Sequence, residues 1–428
     1  MKSLKKFGLI LILFSVTVSS TFSACKKDGF SFIKPFTVTA KKGIVSSEIT
    51  VEKIDSLRDD FIFGMDVSSV LSLEKSGVKF YDYDNKQADL FKILSESGIN
   101  TIRVRVWNNP YDSEGNGYGG GNCDINSALE IGRRANAYGM NLMVDFHYSD
   151  FWADPKKQRA PKEWESLNFD AKLNALYDYT KNCLLKFNKE GIRISLIQIG
   201  NETNGSLSGE TDFKKVCSLF KSGIKAVKEI YPDASAVLHF TDPQKQGLLN
   251  FYAEELNKNG VQYDVFATSY YPYWHGTTDN LGAVLSDLST KYSKKVMVAE
   301  TSYCYTNKDG DFFANTVSDD KSVYSPYPFT VHGQATSVRD VIKAVSDTEN
   351  GIGVCYWEGA WIPVGGKSYD QNLRLWESFG SGWATSYAKE YDADAKYHGG
   401  SAVDNQAMFD FNGKALESLK VFSLIYGS

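Results

Sequence analysis

The stretch Ile197-Gln198-Ile199-Gly200-Asn201-Glu202 is an apolar run that ends in an amide and a carboxylate. Its aliphatic residues are typical of a buried strand, and the glycine lets the chain turn directly afterwards. A parallel α/β barrel places its chemistry at this end of its strands. A second run, Lys295–Thr301, has the same form and carries Glu300 at its end. One such glutamate alone is most simply a surface residue, but two at strand ends suit a barrel enzyme with paired carboxylates.

Strand-like runs alternate with helical patterns from Phe61 onward, and this alternation predicts the fold. The predicted strands are Phe61–Val67, Asn100–Trp107, Asn141–His147, Ile194–Gly200, Ser235–Phe240, Val265–Tyr270, Lys295–Glu300 and Gly353–Trp357. The predicted helices are Asp84–Ser97, Ile125–Tyr138, Ala171–Lys189, Asp212–Ile230, Gln244–Asn259, Asn280–Tyr292, Gly333–Thr348 and Ala415–Ile425. Eight repeats predict a single α/β domain, a (β/α)8 TIM barrel. An open, doubly wound sheet is the alternative; it is disfavoured because no glycine-rich phosphate loop follows the first strand.

The N-terminus is predicted to direct export, so residues 1–25 are assigned as a signal peptide. Three lysines precede the apolar stretch Phe7–Val18, which is too short for a comfortable membrane span. Small residues before Cys25 resemble the lipobox of bacterial lipoproteins and predict a lipidated cell-surface protein, with plain secretion after cleavage near Ala24 as the alternative. Residues 26–60 are predicted to be a spacer with a short strand pair, and residues 61–428 the catalytic domain.

The amino-acid composition indicates which class of molecule the protein binds. A net charge of −5 argues against nucleic acid, because no basic stripe is present to neutralise phosphates. The aromatic content of 14% suits a polysaccharide, whose apolar ring faces stack on flat side chains. Beyond Cys25 five cysteines remain without a Cys-x-x-Cys pair, which argues against a zinc site and leaves at least one thiol free or paired between chains. The catalytic domain is expected to be a monomer and to use no catalytic cofactor.

Polar and aromatic side chains follow the predicted strands at the same end, where the chain also has three long loops. Parallel strands bring these ends to one rim of a barrel, and long loops there build a substrate groove. The loops are Pro110–Cys123, Thr301–Val331 and Gly359–Ala415. The candidate substrate-binding residues are Asp66, Arg105, Trp107, His147, Asp150, Trp152, Asn201, Tyr271, Trp274, His275, Trp357 and Trp361.

Cleavage of a glycosidic bond needs two carboxyl groups with opposite duties, and Glu202 and Glu300 are the candidates. A nucleophilic carboxylate is best placed among cationic or hydroxyl donors, which Arg105 and Tyr271 can supply. An acid is best placed where burial raises its pKa. Asn201 is placed to hydrogen-bond the sugar 2-hydroxyl. A metal site built on the two rim histidines is unsupported, because a third ligand is missing.

Several long motifs resemble glycoside hydrolase family 53, the arabinogalactan endo-β-1,4-galactanases. They are Phe63–Ser68, Arg103–Trp107, Asp145–Pro155, Gln198–Glu202, Ser269–Gly276 and Ala299–Thr301. The resemblance implies a retaining enzyme with Glu202 as acid/base and Glu300 as nucleophile. The implied substrate is the β-1,4-galactan side chains of pectin. The alternatives are another β-1,4-glycanase of the same clan, acting on mannan or xylan, and a non-catalytic surface glycan-binding lipoprotein.

The resemblance also implies a structural calcium ion in the loop after the seventh strand. Asp309, Asp311 and Asn315 offer oxygen ligands there, with further ligands expected around Ser401 to Asp404. Phe313 stands where the family pattern has a histidine.

Overall fold

Eight parallel strands close into a barrel in the computed structural model, which describes residues 26–27, 30–38, 46–318, 323–366 and 368–427. A short antiparallel pair, β1 (Lys26–Lys27) and β2 (Phe30–Ser31), precedes the barrel. The barrel strands are β3 (Ile62–Asp66), β4 (Thr101–Val106), β5 (Asn141–Phe146), β6 (Ile194–Ile199), β7 (Ser235–Phe240), β8 (Val265–Ser269), β9 (Lys295–Thr301) and β10 (Gly351–Tyr356). The pairing of β10 with β3, for example Val354 with Phe63, closes the ring. The predicted (β/α)8 barrel is therefore confirmed, and the open sheet is excluded.

Helices follow the strands and cover the outside of the barrel. They are α1 (Val70–Lys75), α2 (Leu90–Glu96), α3 (Ile125–Ala137), α4 (Phe169–Lys189), α5 (Phe213–Ile230), α6 (Leu248–Lys258), α7 (Thr278–Tyr292), α8 (Val331–Ser346), α9 (Tyr369–Phe379) and α10 (Val421–Leu424). Short 3-10 segments lie at Lys162–Trp164, Ser386–Glu390, Ala393–Tyr397, Asp404–Gln406 and Glu417–Lys420. None of the helices in these ranges has the length and hydropathy that crossing a bilayer requires.

Two predicted helices differ from the structure, and two observed helices are not predicted. The helix predicted from Asp84 begins only at Leu90, because the Asp89 carboxylate accepts a hydrogen bond from the Phe91 N–H and caps it there. The helix predicted at Ala415–Ile425 is instead a 3-10 turn followed by the four-residue α10. The helices α1 and α9 are missing from the prediction: α1 lies in an unassigned stretch between the first predicted strand and the first predicted helix, and α9 lies inside the long loop Gly359–Ala415.

Two layers of side chains fill the barrel near the carboxyl ends of its strands. Met143, Leu196, Val237 and Ala267 belong to a buried apolar cluster inside it. Side chains two residues further along a strand point to the same face, so the next layer is made of polar residues. These are Asp145, Gln198, His239 and Ser269, all of which are fully buried. The polar layer forms the floor on which a site can be built at the carboxyl ends of the strands.

Two local distortions of the backbone orient Glu202 and Glu300 toward the cavity. The pairing of β8 with β9 shifts register between Thr268–Val298 and Ser269–Glu300, so Ala299 is the extra residue of a bulge. Ala299 faces the apolar interior, and the bulge lets Glu300 face the cavity above it. Gly200 and Glu202 both adopt left-handed backbone conformations, with φ of 85° and 45°. That conformation is unusual for a glutamate and marks a position held by its surroundings.

The N-terminal segment before the barrel lies against it in the described ranges. The Phe36 backbone exchanges two hydrogen bonds with the Asn141 side chain at the start of β5, at 2.7 and 2.9 Å. The Arg193 guanidinium lies 4.7 Å over the Phe36 ring. Further along, Ile54 is buried, and its N–H donates to the Ile425 carbonyl at 2.9 Å. Residues 32–38 thus contact the end of the barrel that is opposite the glutamates.

The cysteines of the barrel are reduced. Cys123, Cys183, Cys217, Cys304 and Cys355 are all buried free thiols. The predicted signal peptide with Cys25 lies outside the described residues.

Candidate active site

Glu202 and Glu300 face one cavity of about 300 Å³ at the carboxyl ends of the strands. Its walls are Arg105, His147, Trp152, Ala153, Asp154, Asn201, Glu202, Tyr271, Trp274, Glu300, Ser302, Thr316, Trp357, Val403 and Gln406. Two carboxyl groups among indole and phenol rings can bind a sugar and act on its glycosidic bond. The closed barrel therefore places the two predicted catalytic glutamates in the same cavity.

Glu300 is held by two donors. Its Oε1 lies 2.8 Å from a terminal guanidinium nitrogen of Arg103, and its Oε2 accepts the Tyr271 hydroxyl at 3.0 Å. Burial raises the pKa of Glu300, and the Arg103 charge and the Tyr271 hydrogen bond oppose that rise. Glu300 is therefore the carboxylate of the pair whose ionised form is stabilised.

Glu202 has a neutral hydrogen-bond donor instead of a cation. Its Oε1 accepts the Ser269 hydroxyl at 2.6 Å. Burial raises the pKa of Glu202 to about 8, and the charge of Glu300 adds to the rise. When one proton is available to the pair, it resides on Glu202, because Glu300 has the arginine. One protonated and one ionised carboxyl group are what acid-assisted displacement requires.

Arg103 is the cation of the site, and this corrects the sequence-based choice of Arg105. Besides Glu300, its guanidinium contacts Asp66 at 2.9 Å and Asp145 at 2.8 Å. The terminal nitrogen that contacts Asp145 and Glu300 also lies 3.0 Å from Asn201 Oδ1. Both arginines are buried on β4, and residues two apart share a face, so sequence spacing does not distinguish them.

Arg105 lies one layer above and has different partners. It pairs with Glu358 at 2.6 Å and with Asp66 at 3.3 Å. Its guanidinium lies 4.4 Å over the Trp152 ring, which is a cation–π contact. Arg105 therefore supports an aromatic wall of the cavity and does not contact the Glu300 carboxylate.

Seven of the twelve predicted substrate-binding residues line the cavity: Arg105, His147, Trp152, Asn201, Tyr271, Trp274 and Trp357. Among them, Trp274 is 45% exposed and presents its ring to solvent. The Asn201 amide nitrogen donates to the Ala153 carbonyl at 2.9 Å, which fixes its orientation. Both His147 ring nitrogens have partners: Nε2 faces Asp145 at 3.0 Å, and Nδ1 accepts the Trp107 indole N–H at 3.1 Å.

The other five lie behind the wall of this cavity, and their contact with substrate stays a prediction: Asp66, Trp107, Asp150, His275 and Trp361. Asp150 is buried and accepts the backbone N–H groups of Asn109 and Lys162 at 2.9 and 2.8 Å. His275 Nδ1 accepts the Tyr271 backbone N–H at 3.1 Å. The Trp361 ring stacks beneath Trp152 with centroids 6.1 Å apart. These side chains support the wall because each turns its polar atoms inward to satisfy buried partners.

Besides Arg103, the sequence-based list of site residues misses five members of the buried polar network: Asp145, Gln198, His239, Ser269 and Glu358. The signal that reveals four of them is a polar residue at an alternating position near the end of an otherwise apolar strand. Glu358 lies two residues after the end of β10, adopts a left-handed backbone conformation and accepts the Ser69 hydroxyl at 2.7 Å. Burial raises the pKa of Glu358 to about 7, and Arg105 opposes the rise.

A second acidic cluster lies beside the site, in the loop after β9. Asp309, Asp311 and Asp404 place one carboxylate oxygen each within 4.8 Å of one another. Burial raises the pKa of Asp311 to about 8, and its neighbour Asp404 adds to the rise. The third carboxylate is thus Asp404, from the late segment, whereas the predicted ligand Asn315 hydrogen-bonds Asp404 and donates to the Lys308 carbonyl at 3.3 Å. The Phe313 ring packs on Trp376, with centroids 6.3 Å apart.

Comparisons with known proteins agree with this geometry. The family model described as glycosyl hydrolase family 53 matches residues 62–422. An endo-beta-1,4-galactanase of Bacillus subtilis is 53% identical over 409 residues, covering 94% of each chain. An arabinogalactan endo-beta-1,4-galactanase of Thermothelomyces thermophilus is 30% identical, over 85% of this chain and 98% of that protein. The solved catalytic domain of an Ignisphaera aggregans family 53 protein superposes with a TM-score of 0.79 at 38% identity, covering 88% of this chain and 99% of that one.

Proposed function

Because the chain belongs to glycosyl hydrolase family 53, we propose that it cleaves internal β-1,4 bonds of galactan, such as the side chains of pectin. The relatives named as endo-beta-1,4-galactanases support this choice of polysaccharide. The observation that carries the proposal is the pair of buried glutamates with unlike surroundings, Glu300 against Arg103 and Glu202 against a serine hydroxyl.

The proposed reaction is a double displacement with retention. Glu300 attacks the anomeric carbon as a carboxylate, while Glu202 gives its proton to the leaving glycosidic oxygen. Glu202 is then ionised and takes a proton from the water that hydrolyses the glycosyl ester. Arg103 and the Tyr271 hydroxyl keep the nucleophile ionised and oriented in the first step, and they stabilise the carboxylate that leaves in the second.

The test is hydrolysis of β-1,4-galactan, with mannan and xylan as control polysaccharides. We expect new reducing ends from galactan alone, with the β-anomer formed first in proton NMR spectra. Glu300→Ala is expected to lower kcat by at least about a thousandfold. Glu254→Ala, on the surface of α6, is the matched control. Normal activity of Glu300→Ala, or initial release of the α-anomer, would refute the assignment.

Glu202→Ala separates the two roles. The variant is expected to lose most of its activity on galactan. With a dinitrophenyl β-galactoside, whose leaving group needs no acid, the rate of the first step should fall only slightly. Added azide is expected to restore turnover and to yield a β-galactosyl azide, because azide attacks the anomeric carbon of the glycosyl ester, displaces the Glu300 carboxylate and needs no general base. Equal losses on both substrates without azide rescue would contradict the acid/base role.

We also propose a calcium ion at Asp309, Asp311 and Asp404. Three carboxylates within 4.8 Å repel one another unless a cation lies among them, and hard oxygen ligands suit calcium. The ion would join the loop after β9 to the segment around Asp404, both of which contribute to the cavity wall. Its role would be to hold these loops in place, away from the bond that is cleaved.

Export remains a proposal that rests on the N-terminal sequence. We propose cleavage of the signal peptide and lipidation of Cys25, with the mature enzyme acting as a monomer on polysaccharide at the cell surface. Residues 32–38 lie at the end of the barrel opposite the cavity, through the contacts of Phe36 with Asn141 and Arg193. A tether leaving from that end would direct the cavity away from the membrane. Metabolic labelling with a fatty acid, compared between the wild type and Cys25→Ala, tests the lipidation.

A further inference from the structure

His239 contacts the Glu202 backbone and is linked to the Glu202 side chain through Ser269. It is fully buried on β7, in the polar layer of the barrel. Its Nδ1 lies 3.4 Å from the Glu202 backbone nitrogen, which points its N–H at the ring. Its Nε2 lies 2.9 Å from the Ser269 hydroxyl, and that hydroxyl lies 2.6 Å from Glu202 Oε1. One imidazole is therefore linked to the reactive carboxyl group by two routes.

The neighbours of Nδ1 decide which ring nitrogen carries the hydrogen. The Glu202 backbone N–H is a donor and needs an acceptor there. The Gln198 amide nitrogen is also 3.1 Å away, but its two hydrogens have nearer acceptors in Asp145 Oδ1 at 2.6 Å and the Gly200 carbonyl at 3.0 Å. Asn201 Oδ1 is an acceptor, at 3.0 Å, but it also lies 3.0 Å from a terminal guanidinium nitrogen of Arg103. Because the Asn201 oxygen has this cationic donor and the Glu202 N–H points at Nδ1, the Nε2–H tautomer is favoured.

The tautomer sets the direction of the rest of the chain of hydrogen bonds. With its hydrogen on Nε2, His239 donates to Ser269 Oγ, and the serine hydrogen turns toward Glu202 Oε1. In the opposite tautomer the serine hydrogen would turn toward the ring, and a lone pair would face Oε1 at 2.6 Å. That arrangement would repel the ionised carboxylate.

We propose that His239 and Ser269 are positioning residues for the acid/base glutamate. His239, neutral and protonated on Nε2, accepts from the Glu202 backbone and directs the Ser269 hydroxyl onto Oε1, so the catalytic proton is held on Oε2. The proposal rests on the proposed function. In the first step the Oε2–H bond breaks and the proton goes to the glycosidic oxygen; in the second, Oε2 takes a proton from water. His239 and Ser269 change neither charge nor proton count.

The charged surroundings keep the imidazole neutral. Burial lowers the pKa of His239 well below its ordinary value, and the Arg103 charge lowers it further against the opposing effect of Asp145. His147 is the other titratable group that acts on it. On the Glu202 side the facing groups are Glu300, Asp154 and Tyr271. A neutral relay suits an acid that must ionise and be reprotonated in each turnover.

The direct test is the nitrogen-15 NMR spectrum of the histidine side chains in the whole enzyme, without substrate. The chain has five histidines, and the signal missing from His239→Gln assigns residue 239. We expect one neutral Nε2–H tautomer from about pH 5.5 to pH 8, because burial lowers the pKa of His239 well below its ordinary value. An Nδ1–H tautomer, or an imidazolium at neutral pH, would overturn the proposal whatever the activity of the enzyme.

Kinetics supply an independent test. Ser269→Ala removes a hydrogen bond to the ionised Glu202, so the alkaline limb of the pH–rate profile is expected to move up by about one pH unit. We also expect kcat to fall about tenfold with KM within about twofold. Ser289→Ala, at a buried serine of α7, is the matched control and should change neither quantity.

The histidine itself is tested by a pair of substitutions. His239→Gln carries an amide nitrogen that reaches the position of Nε2, and it should retain more kcat and a more nearly normal pH profile than His239→Leu. Equal effects of the two, or an alkaline limb unmoved in Ser269→Ala, would overturn the positioning role. A wild-type enzyme inactive on galactan would instead refute the proposed function and leave the NMR result to stand by itself.

Discussion

Replacing Arg103 with methionine removes the guanidinium that three carboxylates share. Its side chain is inaccessible to solvent, and it lies 2.9 Å from Asp66, 2.8 Å from Asp145 and 2.8 Å from Glu300. Breaking a buried ion pair costs about 3–5 kcal/mol, because the remaining charge is left without compensation. We expect a loss of about 4 kcal/mol in the free energy of unfolding near pH 8. Turnover should fall with it, since Glu300 loses the charge that favours its ionised form.

The loss should depend on pH in a defined direction. Burial already raises the pKa of Glu300, and Arg103 opposes that rise. Although burial acts upward on Asp145, Arg103 and His147 hold its pKa below the ordinary value. Without Arg103 both pKa values rise, so the folded variant binds protons that the unfolded chain, with carboxyl pKa values near about 4, releases. Its stability therefore falls as pH rises above about 4, and the deficit should be smaller at pH 5 than at pH 8 by about 1–2 kcal/mol.

Urea unfolding, followed by tryptophan fluorescence and extrapolated to water, measures both quantities. Arg134→Met is the matched control, because Arg134 pairs with Glu74 and Asp89, whose side chains are each 32% exposed. Its loss should stay within about 1 kcal/mol. A deficit for Arg103→Met no larger than that of the control, or one that grows toward acid pH, would refute the reasoning.

Three further predictions concern the acid, an aromatic wall and the metal. The kcat/KM for galactan should fall above about pH 8, where Glu202 loses its proton, and a rate that stays constant well above that pH would exclude Glu202 as the acid. Trp274→Ala should raise KM several-fold with kcat within about twofold, because the ring is 45% exposed at the cavity and binds sugar without touching the reacting atoms; Phe251→Ala on α6 is the control. Calcium at a hundredfold excess over Kd should add about 2.7 kcal/mol to the free energy of unfolding, seen as a rise in Tm that a chelator reverses. Asp311→Asn should abolish that rise. A wild-type Tm that does not change when calcium is added would contradict the proposed calcium site.

Much of the fold is predictable because each barrel strand is local in sequence. Runs such as Ile194–Ile199 are buried on both faces and are therefore mostly apolar, and helical periodicity returns between them. The segments that the prediction missed are short, like α1, or lie inside a long connection, like α9. Such segments become helical through packing against the barrel, which a local pattern does not contain.

The candidate site is predictable to the extent that it lies at strand ends. Glu202, Glu300, Asn201 and Tyr271 all follow apolar runs and all reach the cavity. Residues such as Asp150 have the same local signal but turn toward backbone N–H groups behind the wall. Whether a rim residue faces the cavity or its support depends on which buried partners it must satisfy.

The sequence by itself determined the barrel, the two glutamates and the family, because strand periodicity and motif order are properties of the chain taken locally. Only the tertiary structure decided the partners: Arg103 rather than Arg105 against Glu300, Asp404 beside Asp311, and His239 linked to Glu202 through a serine on another strand. The physical reason is that these contacts form only when the barrel closes. The alternation of residues along a strand predicts which face a side chain occupies. Ion pairs and hydrogen bonds, however, join side-chain atoms of different strands, and only the closed barrel brings those atoms within 3 Å of one another.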